Sequence, residues 1–127
     1  MPKSRRAFLV EDNPEVRASL IEALSELASV KVVGYADNES EAIDWLAVYS
    51  DNIDFVILDM HLPSGSGLSI LKQMRDAKLT HPIIVWTGNS SPDIRERCLK
   101  AGATVFFDKS SEQDNFFDYV RGSAKKK

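Results

Sequence analysis

The chain has 127 residues, room for one domain of ordinary size. Hydrophobic residues make up 43% and charged residues 28%, the balance of a folded globular protein, and no apolar run approaches the ~20 residues of a membrane-spanning helix. Sixteen Lys+Arg against nineteen Asp+Glu leave a net charge of −3, which argues against nucleic-acid binding by bulk electrostatics, and the single Cys98 excludes an intrachain disulfide or a Cys-rich zinc site and fits a reducing cytosol.

Apolar runs and helical patterns alternate from end to end. After a short basic start, Ala7-Phe8-Leu9-Val10 reads as a buried strand closed by Glu11-Asp12. Asn13-Pro14 then supplies a helix N-cap and a proline at the first helical position, with Val16, Leu20, Ala23, Leu24 and Leu27 following at helical spacing. Val30 to Tyr35 reads as a second strand. Asn38 with Glu41 resembles a capping box ahead of the stripe Ala42, Ile43, Leu46. Asp54 to Asp59 is a third strand, apolar until its final acid, and Leu62 to Gly67 is a loop by composition. Leu68, Leu71 and Met74 mark the next helix, and Pro82 to Thr87 the fourth strand. Ser91-Pro92-Asp93 opens a helix that carries Ile94, Cys98 and Leu99 and that Gly102 ends. Thr104 to Phe107 is a fifth strand, and Ser110 and Gln113 start a last helix with Phe116, Phe117 and Val120. Trp45, Trp86 and Cys98 read as packing groups and His81 as a turn residue. Lys125 to Lys127 read as a solvated basic tail. The expectation is a single domain over 1–127, with its core at about 5–122.

Strands that do not alternate polar with apolar residues are buried on both faces, as in a parallel sheet covered by helices. Five strand–helix units therefore predict a doubly wound α/β fold, and right-handed crossovers put every strand's C-terminal end on one edge, where ligands of such folds bind. The polar residues gather at those ends: Glu11-Asp12, Asp59, Thr87 and Asp108-Lys109. Two like charges 4 Å apart repel by ~4 kcal/mol at an effective dielectric of 20, and one lysine cannot neutralise Glu11, Asp12 and Asp59. All-oxygen ligands suit Mg²⁺, or Mn²⁺ in its place, with room left for an anion such as a phosphoryl group. Asp59 then becomes a phosphoryl acceptor, with Lys109 and the Thr87 hydroxyl holding the other phosphoryl oxygens.

Together, Leu9-Val10-Glu11-Asp12, Asp59-Met60-His61-Leu62-Pro63 with Gly67, Thr87-Gly88 and Asp108-Lys109 resemble the response-regulator receiver domains of two-component signalling. The resemblance spans about residues 5 to 122 and implies the strand order 2-1-3-4-5. It implies that Asp59 takes phosphate from a phosphohistidine of a sensor kinase or phosphotransfer protein. Asp12 would be the direct metal ligand, Glu11 would act mainly through metal-bound water, and the His61 backbone carbonyl would complete the set. Thr87 would turn toward the phosphoryl group together with Phe106, at the switch-aromatic position. Helix four, strand five and helix five would then change their affinity for partners, and a homodimer through the same surface is open by analogy. A cytoplasmic switch rather than an enzyme is implied, with no output domain in this chain and no direct contact to nucleic acid or membrane.

Three departures stand out. Glu11 replaces the usual Asp and keeps the charge. Gly88 leaves the phosphoryl neighbourhood open to water. Ser110 follows Lys109 where proline is common, so a trans bond is expected there, because a cis bond without proline costs ~2.5–4 kcal/mol. A nucleotide-binding enzyme is disfavoured by Glu11-Asp12-Asn13-Pro14 in place of a glycine-rich phosphate cradle. An aspartyl-nucleophile phosphatase would commonly carry an acid where His61 stands. A receiver-like interaction module that is never phosphorylated is opposed by the presence of every chemical group the reaction needs.

Overall fold

A computed structural model describes residues 5–88 and 90–122. The residues before Arg5 and the tail Lys125 to Lys127 lie outside these. The strands are β1 (Arg5–Val10), β2 (Val30–Ala36), β3 (Phe55–Leu58), β4 (Ile83–Thr87) and β5 (Val105–Asp108). The helices are α1 (Pro14–Ala28), α2 (Glu39–Tyr49), α3 (Gly67–Asp76), α4 (Pro92–Lys100) and α5 (Gln113–Gly122). The strands form one parallel sheet in the order β2-β1-β3-β4-β5, as expected. No helix among the described residues is long and apolar enough to cross a membrane.

The pleat sorts the strand residues into two cores. Phe8, Val10, Val56, Leu58, Ile83, Val85 and Phe106 pack with Ala42 and Leu46 of α2, Ile70, Leu71 and Met74 of α3, and Cys98 of α4. Ala7, Leu9, Phe55, Ile57, Ile84 and Trp86 pack on the other face with Leu20, Leu24 and Ala28 of α1 and Phe116 and Val120 of α5. The tryptophans do pack: Trp45 stacks on Phe8 at 4.3 Å and Trp86 on Phe116 at 4.1 Å.

Helix starts follow the local signals. Asn13, Asn38 and Ser91 each accept backbone N–H groups from the turn they cap. Ser66 does the same for α3, so Gly67 belongs to the helix and not to the loop expected from composition. Val16 and Leu27 were expected on the buried stripe of α1 but are 39% and 54% exposed, while Ala28 is buried in their place. The last helix begins at Gln113, because Ser110 and Ser111 donate to the Asp108 carboxylate in a separate turn. No cis peptide bond occurs among the described residues, so Lys109–Ser110 is trans. In β2 the register with β1 slips between Ala7↔Val32 and Phe8↔Gly34, leaving Val33 as an extra residue on an edge strand. Such bulges discourage edge-to-edge pairing.

Candidate functional site

Three of the candidate residues, Glu11, Asp59 and Lys109, each hang on one hydrogen bond that carries the sheet ladder just past a strand end. Glu11 N–H donates to the Ala36 carbonyl at 3.1 Å, Asp59 N–H to Val10 at 3.2 Å, and Lys109 N–H to Thr87 at 3.0 Å. Parallel strands ending on one edge therefore deliver these side chains to one place, at the crevice between β1 and β3 where the winding direction reverses.

Glu11, Asp59 and Thr87 are buried although polar, and each carries a partner. Lys109 Nζ donates to Glu11 Oε1 at 2.7 Å and to Asp59 Oδ2 at 3.0 Å. Thr87 Oγ1 donates to Asp59 Oδ1 at 2.8 Å, and the His61 N–H reaches the same oxygen at 3.2 Å. The second oxygen of Glu11 accepts the Asn13 N–H at 3.2 Å. Asp12 is half-buried, and carboxylate oxygens of Glu11, Asp12 and Asp59 lie within 4.8 Å of one another. Glu11 and Asp59 thus share one ammonium, and Asp12 adds a third carboxylate beside them. Burial pulls the Lys109 pKa down, but its bond to Glu11 and the charge and bond of Asp59 outweigh this and hold it above the ordinary value. The donor set is all oxygen and over-supplied with negative charge, which fits a hard divalent cation.

The His61 side chain is exposed, so it is the backbone of this residue that faces Asp59. Phe106 is buried on the α4 side of β5, with the Arg95 guanidinium 4.8 Å above its ring and donating to its carbonyl at 3.3 Å. Arg95 also donates to Glu112 Oε1 at 2.9 Å, which in turn accepts the Asp108 N–H.

Asp108 stands beside Lys109 in sequence but turns away from the acid cluster. It accepts the Ser110 hydroxyl, the Ser90 hydroxyl and the Ser110 and Ser111 N–H groups, which hold its carboxyl well below the usual range. These bonds join the segment after β4 to the turn after β5, on either side of Lys109. Glu39 plays a similar part between α2 and α3. The Ser69 hydroxyl and the Ser66 N–H lower its pKa against a small burial effect, with Gln73 adding to them. Sequence reading assigned neither Arg95, Glu112 nor Glu39 a role. Their partners lie 17 or more residues away or on another element, and no local spacing marks them.

The sequence model of the response regulator receiver domain family matches residues 7–121. The chain is 27% identical over 119 residues to the Fimbriae Z protein of Salmonella typhimurium, covering 94% of this chain and 56% of that protein. A putative transcriptional regulator of Pseudomonas aeruginosa is 31% identical over 104 residues, 82% of this chain and 49% of that one. Among solved structures, the signal receiver domain of the putative response regulator NarL from Mycobacterium tuberculosis superposes with a TM-score of 0.83 at 27% identity, over 99% of this chain and 100% of that one. The response regulator domain of Thermotoga maritima CheB, at 20% identity and a TM-score of 0.81, shares the fold over 94% of this chain and 95% of that one. The chain spans about half the length of the curated relatives it matches. Fold and strand-end cluster together define a five-stranded, doubly wound α/β domain with its polar site at the switch point. The chain belongs to the response regulator receiver domain family of two-component systems.

Proposed function

We propose that this receiver is a phosphoacceptor switch in a phosphorelay and that Asp59 carries the phosphoryl group. The observation that supports this reading is the convergence of three carboxylates, one hydroxyl and one ammonium on a single crevice. A carboxylate oxygen of Asp59 attacks the phosphorus of a phosphohistidine on a sensor kinase or phosphotransfer protein. The P–N bond breaks, a P–O bond to Asp59 forms, and the leaving imidazole takes up a proton. Asp12 and Asp59, the His61 carbonyl and, through water, Glu11 would hold a Mg²⁺ or Mn²⁺ ion, which when bound neutralises charge between the acids and the phosphoryl oxygens.

The chain's own groups do the rest. Lys109 already sits 3.0 Å from Asp59 and moves its bond to a phosphoryl oxygen as the carboxylate becomes an acyl phosphate. The Thr87 hydroxyl, 2.8 Å from Asp59, follows the same charge. Phe106 lies inward on β5 and would respond together with Thr87, carrying the change to the α4–β5–α5 surface, where partners or a second copy would read it. A groove of about 400 Å³ between α1 and α5, lined by Val16, Leu20, Ala23, Trp86 and Phe117, opens beside Lys109. It gives the exposed Val16 a use, as a resting place for the phosphodonor. On this reading residues 1–127 work as one cytoplasmic receiver unit.

Incubation with Mg²⁺ and acetyl phosphate, read by intact-protein mass spectrometry, tests the proposal. One added phosphoryl group that disappears in Asp59→Asn is the expected result. No gain with any small donor or phosphohistidine protein favours an interaction module outside the phosphorelay.

A further inference from the structure

Asp59 runs directly into the loop 60–66, which ends at Ser66, the N-cap of α3. The near end of this loop touches the site, where the His61 N–H donates to Asp59. Its near part is anchored by Met60 and Leu62, both buried in the core, whereas its far part, Ser64-Gly65-Ser66, brings only two serines and a glycine at φ +82°. There, order comes from the first residue of α2. Glu39 Oε1 accepts the Ser66 N–H at 3.0 Å. Its Oε2 accepts the Ser69 hydroxyl at 2.5 Å and the Gln73 amide at 2.6 Å. The Glu39 N–H donates to the Ser64 carbonyl at 3.2 Å. Gly65 lies so close that any Cβ on it would overlap the Glu39 side chain. The Glu39 carboxylate thus ties the last loop residue and the first turns of α3 to α2, while the near end of the loop faces the acid cluster.

We infer that Glu39 is a positioning residue for the divalent-cation site, acting through loop 60–66 on the backbone of His61. The inference rests on the reading of Glu11, Asp12 and Asp59 as that site. A carbonyl ligand on a wandering loop must be ordered when the ion binds, and the entropy lost then weakens binding. A loop already held costs less at that moment. Partners that orient metal ligands directly are worth 10- to 100-fold in affinity, so a residue acting at one further remove should be worth roughly 3- to 10-fold.

The test uses the whole chain with Glu39→Ala and Glu39→Gln, titrated with MgCl₂ by calorimetry. Glu39→Ala should raise the Mg²⁺ Kd by roughly 3- to 10-fold, and Glu39→Gln, which keeps one acceptor oxygen, by less. Amides of residues 61–66 should exchange faster. Phosphorylation by acetyl phosphate should be slow at low Mg²⁺ and recover to near the wild-type maximum at saturating Mg²⁺, a split that a general loss of folding would not produce. Ser69→Ala, which removes one donor to Glu39, serves as a milder variant should Glu39→Ala not fold. Unchanged Mg²⁺ affinity despite faster loop exchange overturns the role of Glu39, and so does a rate defect that Mg²⁺ does not restore. Failure of the unmodified chain to bind Mg²⁺ overturns instead the cation-site reading beneath it.

Discussion

Gly67 and Gly88 flank the acid cluster and answer a methyl group in opposite ways. The Gly67 backbone lies against Asp59 itself, and its N–H donates to the Met60 carbonyl at 3.2 Å. A Cβ there would overlap the Asp59 carbonyl and push the acceptor out of place. At Gly88 a Cβ meets nothing within 4 Å. Gly88→Ala should therefore fold as well as the parent, or gain about 0.4–1 kcal/mol from a stiffer unfolded chain. The methyl would stand beside Thr87 and narrow the path of hydrolytic water. Loss of the phosphoryl group, followed by mass spectrometry after the donor is removed, should slow by about 2- to 5-fold, a barrier change under about 1 kcal/mol. Unchanged or faster decay counts against an open water path at this position. Ser110 shows the same economy of local chemistry. Where proline is common, this chain has an N–H, and Asp108 accepts it at 2.7 Å to build the turn after Lys109.

Among the elements, α4 packs on the core beside β5 through Cys98 and Ile94, and Arg95 ties it to β5 and to the turn before α5. Arg95 donates to the Phe106 carbonyl and to Glu112, and covers the Phe106 ring. Phe106 faces α4 because Val85↔Phe106 places it on the same side of the sheet as Val85. Any movement of the ring must therefore move Arg95 or leave it behind. Arg95 is 41% exposed, so its ion pair with Glu112 is worth little, and the cation–π contact adds about 0.5–1 kcal/mol. Arg95→Ala should cost about 1 kcal/mol in urea unfolding. Amide exchange should rise in α4 and in residues 105–112 while α1 and α2 stay protected. An equal rise in every helix would mean that Arg95 merely supports the fold as a whole.

At the scale of the molecule, two cores on either side of one sheet carry the stability, and the charged groups set its pH limits. Asp108 and Glu39 have folded pKa values below their unfolded ones, so each contributes fully above the ordinary carboxylate range and loses that contribution as pH falls through it. Lys109 is shifted upward, so its contribution is whole below the ordinary lysine value of ~10.4 and is lost as pH rises beyond it. The urea midpoint should therefore be flat between about pH 5 and pH 10 and fall on both sides. The acid fall should be shallower in the double variant Asp108→Asn, Glu39→Gln. A decline already begun between pH 6 and pH 7 would contradict this assignment. Burial also pushes the Cys98 thiol pKa up, in keeping with a packing group that takes no part in the site.

Local pattern by itself determined the alternation of strands and helices, the capping residues Asn13, Asn38 and Ser91, and the gathering of Glu11, Asp12, Asp59, Thr87 and Lys109 at strand ends. Parallel crossovers of one hand turn such spacing into proximity, so Lys109 could be set beside Glu11 across 98 residues without knowing a coordinate. Tertiary structure alone decided that Asp108 leaves the cluster while its neighbour Lys109 enters it. It alone decided that Val16 borders a groove instead of the core, that Arg95 covers Phe106, and that Glu39 holds the loop after Asp59. Those outcomes depend on where a side chain points and on which distant donor happens to face it. A sequence pattern of period 2 or 3.6 encodes the buried side of an element, but not its polar partners.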